Sequence, residues 1–353
     1  MDRVALRFLV AEMPKAELHV HLDGALRVST ALRLARASRV EAPTTFAGMA
    51  AALAIPAAPS DVMTEAALLA RFAVPVSLMQ DADALRLLTS ELVEAKAADR
   101  VRYLEIKWAP LLHTAGGLPV EDVLDAVCGA AADAGRAHGV TVRLVVVAVR
   151  SHPVDENVRL AQAAASFRRR GVTGFDLAGS EADDPDPIVQ AAAFAAARDG
   201  GLRITLHAGD LPGSVSLVRR ALELEPERIA HGVGAASDPD LCAELVRRGV
   251  TLDLCPTSNV QSGSVRSFAT HPLAALWRSG VPVTISTDDP TISAVTLGEE
   301  YVAAVEVLGL TPAELWSINL HALDAAFAKP EVIAALRAEF DAWAADIPEL
   351  AGA

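Results

Sequence analysis

The stretch RIAHGVGAASDPDLCAELVRRGVTLDLCP, residues 228–256, decides how the chain is read. A short apolar run, Arg228–Ala230, ends at His231. Asp238-Pro239 then opens a helix: the aspartate can accept a first-turn N–H, and proline sits where an N–H would have no partner anyway. The helix reads as Asp238–Arg247 and stops before Gly249, a residue that tolerates the left-handed conformation of a C-terminal cap. Val250–Leu254 is the next apolar run. Strand, capped helix and strand make a βαβ unit, whose strands run parallel because the helix carries the chain back to its starting edge.

The same rhythm extends outward in both directions. Further strands are expected at Ala16–Leu22, Val101–Trp108, Val140–Val149, Gly174–Ala178, Leu202–His207 and Val281–Thr287. Several are continuously apolar rather than alternating, which marks strands covered on both faces of a parallel sheet. Between them lie helical segments at Asp81–Asp99, Val120–Ala137, Val154–Arg169, Pro187–Asp199 and Gly213–Leu222, with Gly139 and Gly171 placed as stops. Eight such units predict an α/β fold, a (β/α)8 TIM barrel, with an open doubly wound sheet as the weaker alternative.

One connection is anomalous. Roughly 80 residues separate the first strand from the second, far more than a usual connection. The excess holds the Ala- and Pro-rich Ala42–Ser60 and a helical run from about Met63. An insertion after the first strand lies at the C-terminal face of a barrel, so residues of about 40–80 are read as a lid-like segment. Thr311-Pro312 caps a further helical region that is expected to run to the end. The whole of 1–353 is read as one barrel domain with extra C-terminal helices.

Composition narrows the function. Acidic residues outnumber basic ones 45 to 31, a net charge of −14, which argues against a partner that must be gripped through phosphates, so no nucleic acid is expected. Hydrophobic residues at 52% supply one large core. Cys128, Cys242 and Cys255 are too few and too scattered for a disulfide framework or a CxxC zinc site. No apolar run approaches the roughly 18 residues of a membrane span, and the start lacks an export signal. A cytoplasmic protein without a membrane partner is expected.

The polar residues fall where a barrel keeps its chemistry. His19 and His21 are two apart on one strand, so both project from one face about 6.6 Å apart. His207 ends the fifth strand, His231 the sixth, and Asp288-Asp289 the eighth. Imidazoles and carboxylates converging from several strand ends suit Zn²⁺ or another divalent first-row ion. Each piece alone has a plainer reading: HxH in an apolar strand is often coincidence, and Asp-Asp-Pro often caps a turn.

Taken in order, the motifs carry a resemblance. KAELHVHLDG (15–24), FDLAG (175–179), HAG (207–209), HG (231–232), CPTSN (255–259) and STDDP (286–290) resemble the motif set of the adenosine deaminase family, and YLEIKWAP (103–110) resembles its second-strand segment. The likeness runs from about Met13 to about Ala326. It implies a zinc-dependent aminohydrolase acting on C–N bonds of cyclic amidines. It also implies one metal ion per chain, held by His19, His21, His207 and Asp288. The expected substrate is adenosine or a close 6-aminopurine nucleoside, converted to an inosine-type product and ammonia. In the family's chemistry, hydroxide generated at the cation attacks C6 while a carboxylic acid protonates N1. The resemblance gives His231 a place beside the attacking oxygen, as base or electrostatic orienter, with Asp253 and Ser258 orienting it. Asp289 would bind N7, the Gly179 backbone N–H would reach N3, and Asp23 would accept from ribose hydroxyls. Members that act on the free base more often carry Glu at the last of these.

One residue departs from the pattern. The family's proton donor is a glutamate after His-Ala-Gly; here it is Asp210, shorter by one methylene. A misplacement of about 1 Å can cost on the order of 10²-fold in rate. Three readings stay open: the backbone sits closer and Asp210 still protonates N1; a different ring or leaving group is served, as in a modified or 5′-substituted adenine nucleoside or adenine; or the chain binds nucleosides with little turnover. Among the remaining candidates, Glu181 follows the fourth strand and is a weak substrate contact. His113 reads as a loop residue, and His138, His152, His271 and His321 as caps, turns or packing. Arg168–Arg170 reads as solvated charge, and Cys255 as small buried filler.

Overall fold

The computed structural model describes residues 1–38, 40–55 and 63–350. Eight strands form one parallel sheet in sequential order: β1 (Lys15–His21), β2 (Val101–Trp108), β3 (Thr141–Val149), β4 (Val172–Ala178), β5 (Arg203–Ala208), β6 (Arg228–His231), β7 (Thr251–Leu254) and β8 (Val283–Ile285). Closure between β8 and β1 comes from Asp288, whose N–H donates to the His19 carbonyl at 3.0 Å and whose carbonyl accepts from the His21 N–H at 2.7 Å. The architecture is therefore the (β/α)8 barrel. Leu18, Val20, Ile106, Val146, Leu206, Ile229, Leu252 and Val283 are buried under the surrounding helices, which explains why the strands read as nearly unbroken apolar runs.

The quoted stretch folds as read, with β6 and β7 joined through the helix Pro239–Arg248. Asp238 caps it, accepting from Leu241 N–H, and Gly249 closes it at φ +65°. Boundaries shift elsewhere for local reasons. β8 is shorter than Val281–Thr287: the Ser286 N–H still donates to the Leu254 carbonyl of β7 at 2.9 Å, but the next N–H, of Thr287, turns to Glu17 Oε1 on β1. The helix expected over Val154–Arg169 ends at Ser166 and tightens into a short turn at Arg168–Arg170. The chain is also not helical throughout after Thr311. The helices Pro312–Ala325 and Pro330–Ala344 are separated by a break in which Phe327 packs against Gly174 of β4. A helix at Arg3–Glu12, not anticipated, packs Leu6 and Val10 into the core.

The long connection holds the helices Val28–Ala37, Phe46–Leu53 and Ala82–Ala98, with short ones at Glu65–Leu69 and Ala73–Leu78. Residues 56–62 of the lid-like segment lie outside the described residues. The rest ties to loops at the C-terminal ends of distant strands. The Ile55 N–H donates to the Ile292 carbonyl at 2.7 Å beyond β8. Past β4, the Glu65 carboxylate accepts from Ser180 Oγ (2.8 Å), Glu181 N–H (2.7 Å) and Ala182 N–H (3.2 Å). Among the described residues, no helix is long and apolar enough to cross a membrane.

Candidate active site

Four donor atoms from two strand ends and the loop after β8 face one another at the top of the barrel. His19 Nε2 lies 3.2 Å from His21 Nε2, and His21 Nε2 lies 3.1 Å from His207 Nε2. Asp288 Oδ1 is 3.1 Å from His19 Nε2 and 3.4 Å from His21 Nε2. Nitrogens held at 2.0–2.1 Å from a tetrahedral zinc would be about 3.3 Å apart, so these edges match the size of such an ion. The donors also have the right protonation. Burial pushes the imidazole of His21 down to about 3, and lowers those of His19 and His207, so all three are neutral at pH 7. Burial works against the charge on Asp288, but the surrounding imidazoles outweigh it and hold that carboxyl well below the usual range.

Two of the donors are themselves held. His207 Nδ1–H donates to Asp176 Oδ1 at 3.2 Å, which leaves the Nε2 lone pair facing the cluster. Asp176 Oδ2 accepts from Lys107 Nζ at 2.8 Å. Ser258 Oγ donates to Asp288 Oδ2 at 2.7 Å, leaving Oδ1 toward the imidazoles. Asp288 and His231 adopt φ +61° and +65°, a left-handed conformation rare for side chains of this kind, and at Asp288 the backbone bonds that close the barrel hold it. His231 Nε2 lies 3.8 Å from Asp288 Oδ2 and 4.0 Å from Asp210 Oδ2.

Asp210 is seated by two hydroxyls. Ser262 Oγ and Ser264 Oγ both reach its Oδ1 at 3.0 Å, so Oδ2 is the oxygen left to face His231. Its backbone is held by Glu181, which accepts from Gly209 N–H at 2.9 Å and Asp210 N–H at 3.2 Å. Asp23 and Asp289 line the same region without side-chain partners for Oδ1 among the described residues. Burial raises Asp23 to about 6. Burial, together with Asp288, Asp23 and Asp210, pushes Asp289 well above the usual carboxylate range. Gly24 is obligatory, since a Cβ there would fall 1.8 Å from Asp289 Oδ1. Gly179 ends β4 at φ +116°, where a side chain would strain the backbone.

Two expected contacts are not made. Neither Asp253 nor Ser258 orients His231. Asp253 lies lower in the barrel, where Arg228 Nε (3.0 Å) and Thr284 Oγ1 (2.8 Å) claim its carboxylate. Ser258 turns to Asp288. The residue on His231 is Asn259, whose Nδ2 is 3.0 Å from His231 Nδ1. Asn259 and Asp176 both stood inside quoted motifs, but a motif does not say which neighbour turns inward. Glu181 proves to be a backbone clamp. His113, read as a loop residue, is wholly buried, and burial pushes its imidazole down to about 4. Cys255 is buried beside His19 Nδ1 at 3.6 Å. His138 sits in the last turn of the helix Val120–His138, and His321 Nε2 is 3.1 Å from Thr251 Oγ1.

The sequence model of the adenosine deaminase family matches residues 14–343. The chain belongs to the adenosine deaminase family. A curated adenosine deaminase of Mycobacteroides abscessus is 38% identical over 335 residues, covering 90% of this chain and 91% of that protein. Among solved structures, an adenine deaminase from Arthrobacter aurescens matches with a TM-score of 0.86 at 26% identity, over 94% of this chain and 99% of that one. An amidohydrolase from Burkholderia ambifaria with bound Zn matches with a TM-score of 0.85 at 29% identity, over 96% and 93%. Members of this family are metal-dependent hydrolytic deaminases of adenine-type substrates, so this chain is a hydrolase of that class.

Proposed function

We propose that this deaminase acts on adenosine or a closely related 6-aminopurine nucleoside, releasing ammonia and an inosine-type product. The observation that carries the reading is the pairing of two unlike sets at one end of the barrel: four metal-type donors, and beside them the carboxyls of Asp210 and Asp289. His19, His21, His207 and Asp288 would hold one zinc or similar divalent ion. Bound there, the ion would supply Lewis acidity and lower the pKa of water.

The protein's own groups do the rest. Burial beside Asp288, Asp23 and Asp210 favours the protonated form of Asp289, which can donate a hydrogen bond to the lone pair of purine N7 where an ionised carboxylate could not. Asp210, with Oδ1 anchored by two serines, presents Oδ2 to N1, so that the ring accepts a proton as C6 is attacked. That seating favours the first of the three readings of the shorter acid, in which Asp210 is the proton donor. Asp23, buried with an unpartnered oxygen, suits ribose hydroxyls. Gly179 leaves room for the ring edge at N3. An uncharged nucleoside fits better than a nucleotide, because the buried cations nearby are committed: Lys107 to Asp176 (2.8 Å), and Arg150 to the His207 carbonyl (2.7 Å), the Asp184 carbonyl (3.0 Å) and Glu181 (3.7 Å). The Glu65 contacts support a lid role for the insertion.

The test combines metal analysis with near-ultraviolet turnover of adenosine, 2′-deoxyadenosine, adenine and AMP. The expected result is about one equivalent of transition metal and fastest turnover of a nucleoside. Less than about half an equivalent would overturn the ligand set. Full metal with no turnover of any of the four would overturn the proposed substrate class. Asp210→Glu is expected to lose activity, because the serine pair is set for the shorter acid.

A further inference from the structure

His231 is held from behind by a chain of hydrogen bonds whose directions are all determined. The Cys255 backbone N–H can only donate, and it reaches Asn259 Oδ1 at 3.3 Å. The Leu273 backbone N–H donates to His271 Nδ1 at 3.2 Å, so the neutral His271 ring carries its proton on Nε2. Burial supports that neutral state, pushing the imidazole down to about 4. His271 Nε2–H then donates to Asn259 Oδ1 at 3.2 Å. Two independent donors on Oδ1 fix the amide, and Nδ2 must face His231 Nδ1, 3.0 Å away, as a donor.

We infer that Asn259, backed by His271, is a positioning residue that locks His231 in the tautomer with its proton on Nε2. His231 then meets the attacking oxygen as a hydrogen-bond donor and orienter, not as the base that removes its proton. The base role would need a lone pair on Nε2 and a proton on Nδ1, which would set two N–H groups face to face in a buried site. The Nε2–H points instead toward carboxylate oxygens, 3.8 Å from Asp288 Oδ2 and 4.0 Å from Asp210 Oδ2. The backbone adds to the lock: His231 at φ +65° is followed by Gly232 at +68°, and a Cβ on Gly232 would meet Leu252 at 2.8 Å. This inference rests on the deaminase reading for its kinetic consequence alone, not for the tautomer.

The decisive variant is Asn259→Asp, which preserves shape and turns the Nδ2 donor into an acceptor. In the metal-loaded protein, ¹⁵N-histidine NMR of the wild type is expected to show His231 unprotonated at Nδ1 and protonated at Nε2, with the two exchanged in Asn259→Asp. The turnover number should fall on the order of 10²-fold in that variant, the scale of a lost transition-state donor, while KM and inhibition by inosine stay within about twofold. His271→Gln, which can still donate to Asn259 Oδ1, should retain most of the turnover number, and His271→Leu should not. These two also serve if Asn259→Asp folds poorly. A wild-type His231 protonated at Nδ1, or a normal turnover number in both Asn259→Asp and His271→Leu, overturns the inference. If the wild type turns over no nucleoside, the functional reading fails, and the NMR result still decides the tautomer.

Discussion

Two buried polar clusters share the interior of this barrel, and they are built on opposite principles. In the lower one, Arg228 pairs with Glu105 and Asp253, Tyr103 Oη and the Phe327 N–H complete Glu105, and Thr284 completes Asp253. Each of these carboxylates has its donors, and the Arg228 guanidinium lies 3.7 Å over the Phe327 ring. In the upper cluster, three imidazole lone pairs and a carboxylate oxygen face one another, and nearby carboxyl oxygens of Asp23 and Asp289 have no partner among the described residues. The lower circuit is complete within the protein. The upper one sets donor atoms against one another and leaves carboxyl oxygens without partners among those residues, and that surplus of ligating atoms separates a site from a structural network.

The largest effect expected from this contrast is at the upper cluster. His19→Ala should abolish stoichiometric metal and lower deamination by more than about 10³-fold, since losing a direct ligand exceeds the 10–100-fold cost of disturbing a ligand's support. Asp289→Ala should lose comparable activity and keep its metal. Metal analysis beside the rate separates them, and if both variants keep normal metal and rate the two clusters are not different in kind. Arg228→Met is the matching break in the lower circuit. It strands two buried carboxylates and should cost about 3–5 kcal/mol in denaturant unfolding, with metal per folded molecule unchanged. Asp176 holds His207 in place and is paired with Lys107, and Asp176→Asn should weaken metal by about 10–100-fold in competition with a chelator while folding persists.

The two clusters were not equally legible. The upper one showed because its residues end strands: His19-x-His21, His207, His231 and Asp288-Asp289 stand where the apolar period stops. The barrel showed for a related reason, since each parallel strand buried on both faces writes an apolar run between helix caps, as at Val250–Leu254. The lower circuit was silent. Arg228, Glu105 and Asp253 sit within strands, and a one-dimensional pattern does not tell a buried ion pair from a surface charge. The same blindness hid the partner of His231, because Ser258 and Asn259 are adjacent on one helical turn and their facing was decided by packing. The helix Arg3–Glu12 was missed for want of any long apolar run.

The smallest predicted effect concerns Glu300, a buried carboxyl with features of both clusters. Its Oε1 accepts from the Thr257 N–H at 2.9 Å, as in a completed circuit, while Oε2 has no partner among the described residues. Burial pushes it up to about 8 from an ordinary 4.5, with Glu17 and Glu299 adding to the rise and the Thr257 hydrogen bonds opposing it. Between those values the folded chain holds a proton that the unfolded chain has released, so stability must fall as pH rises from 4.5 to 8. Glu300→Gln removes that dependence. The variant should match the wild type near pH 4 and gain on it by about 1 kcal/mol between pH 6 and pH 7, with metal content unchanged. Parallel stability curves for the two proteins across that interval would mean that Glu300 is ionised in the folded state. It would then have to be balanced by a cation, and Lys96, already paired with Glu17 at 2.7 Å, would be the charge to examine next.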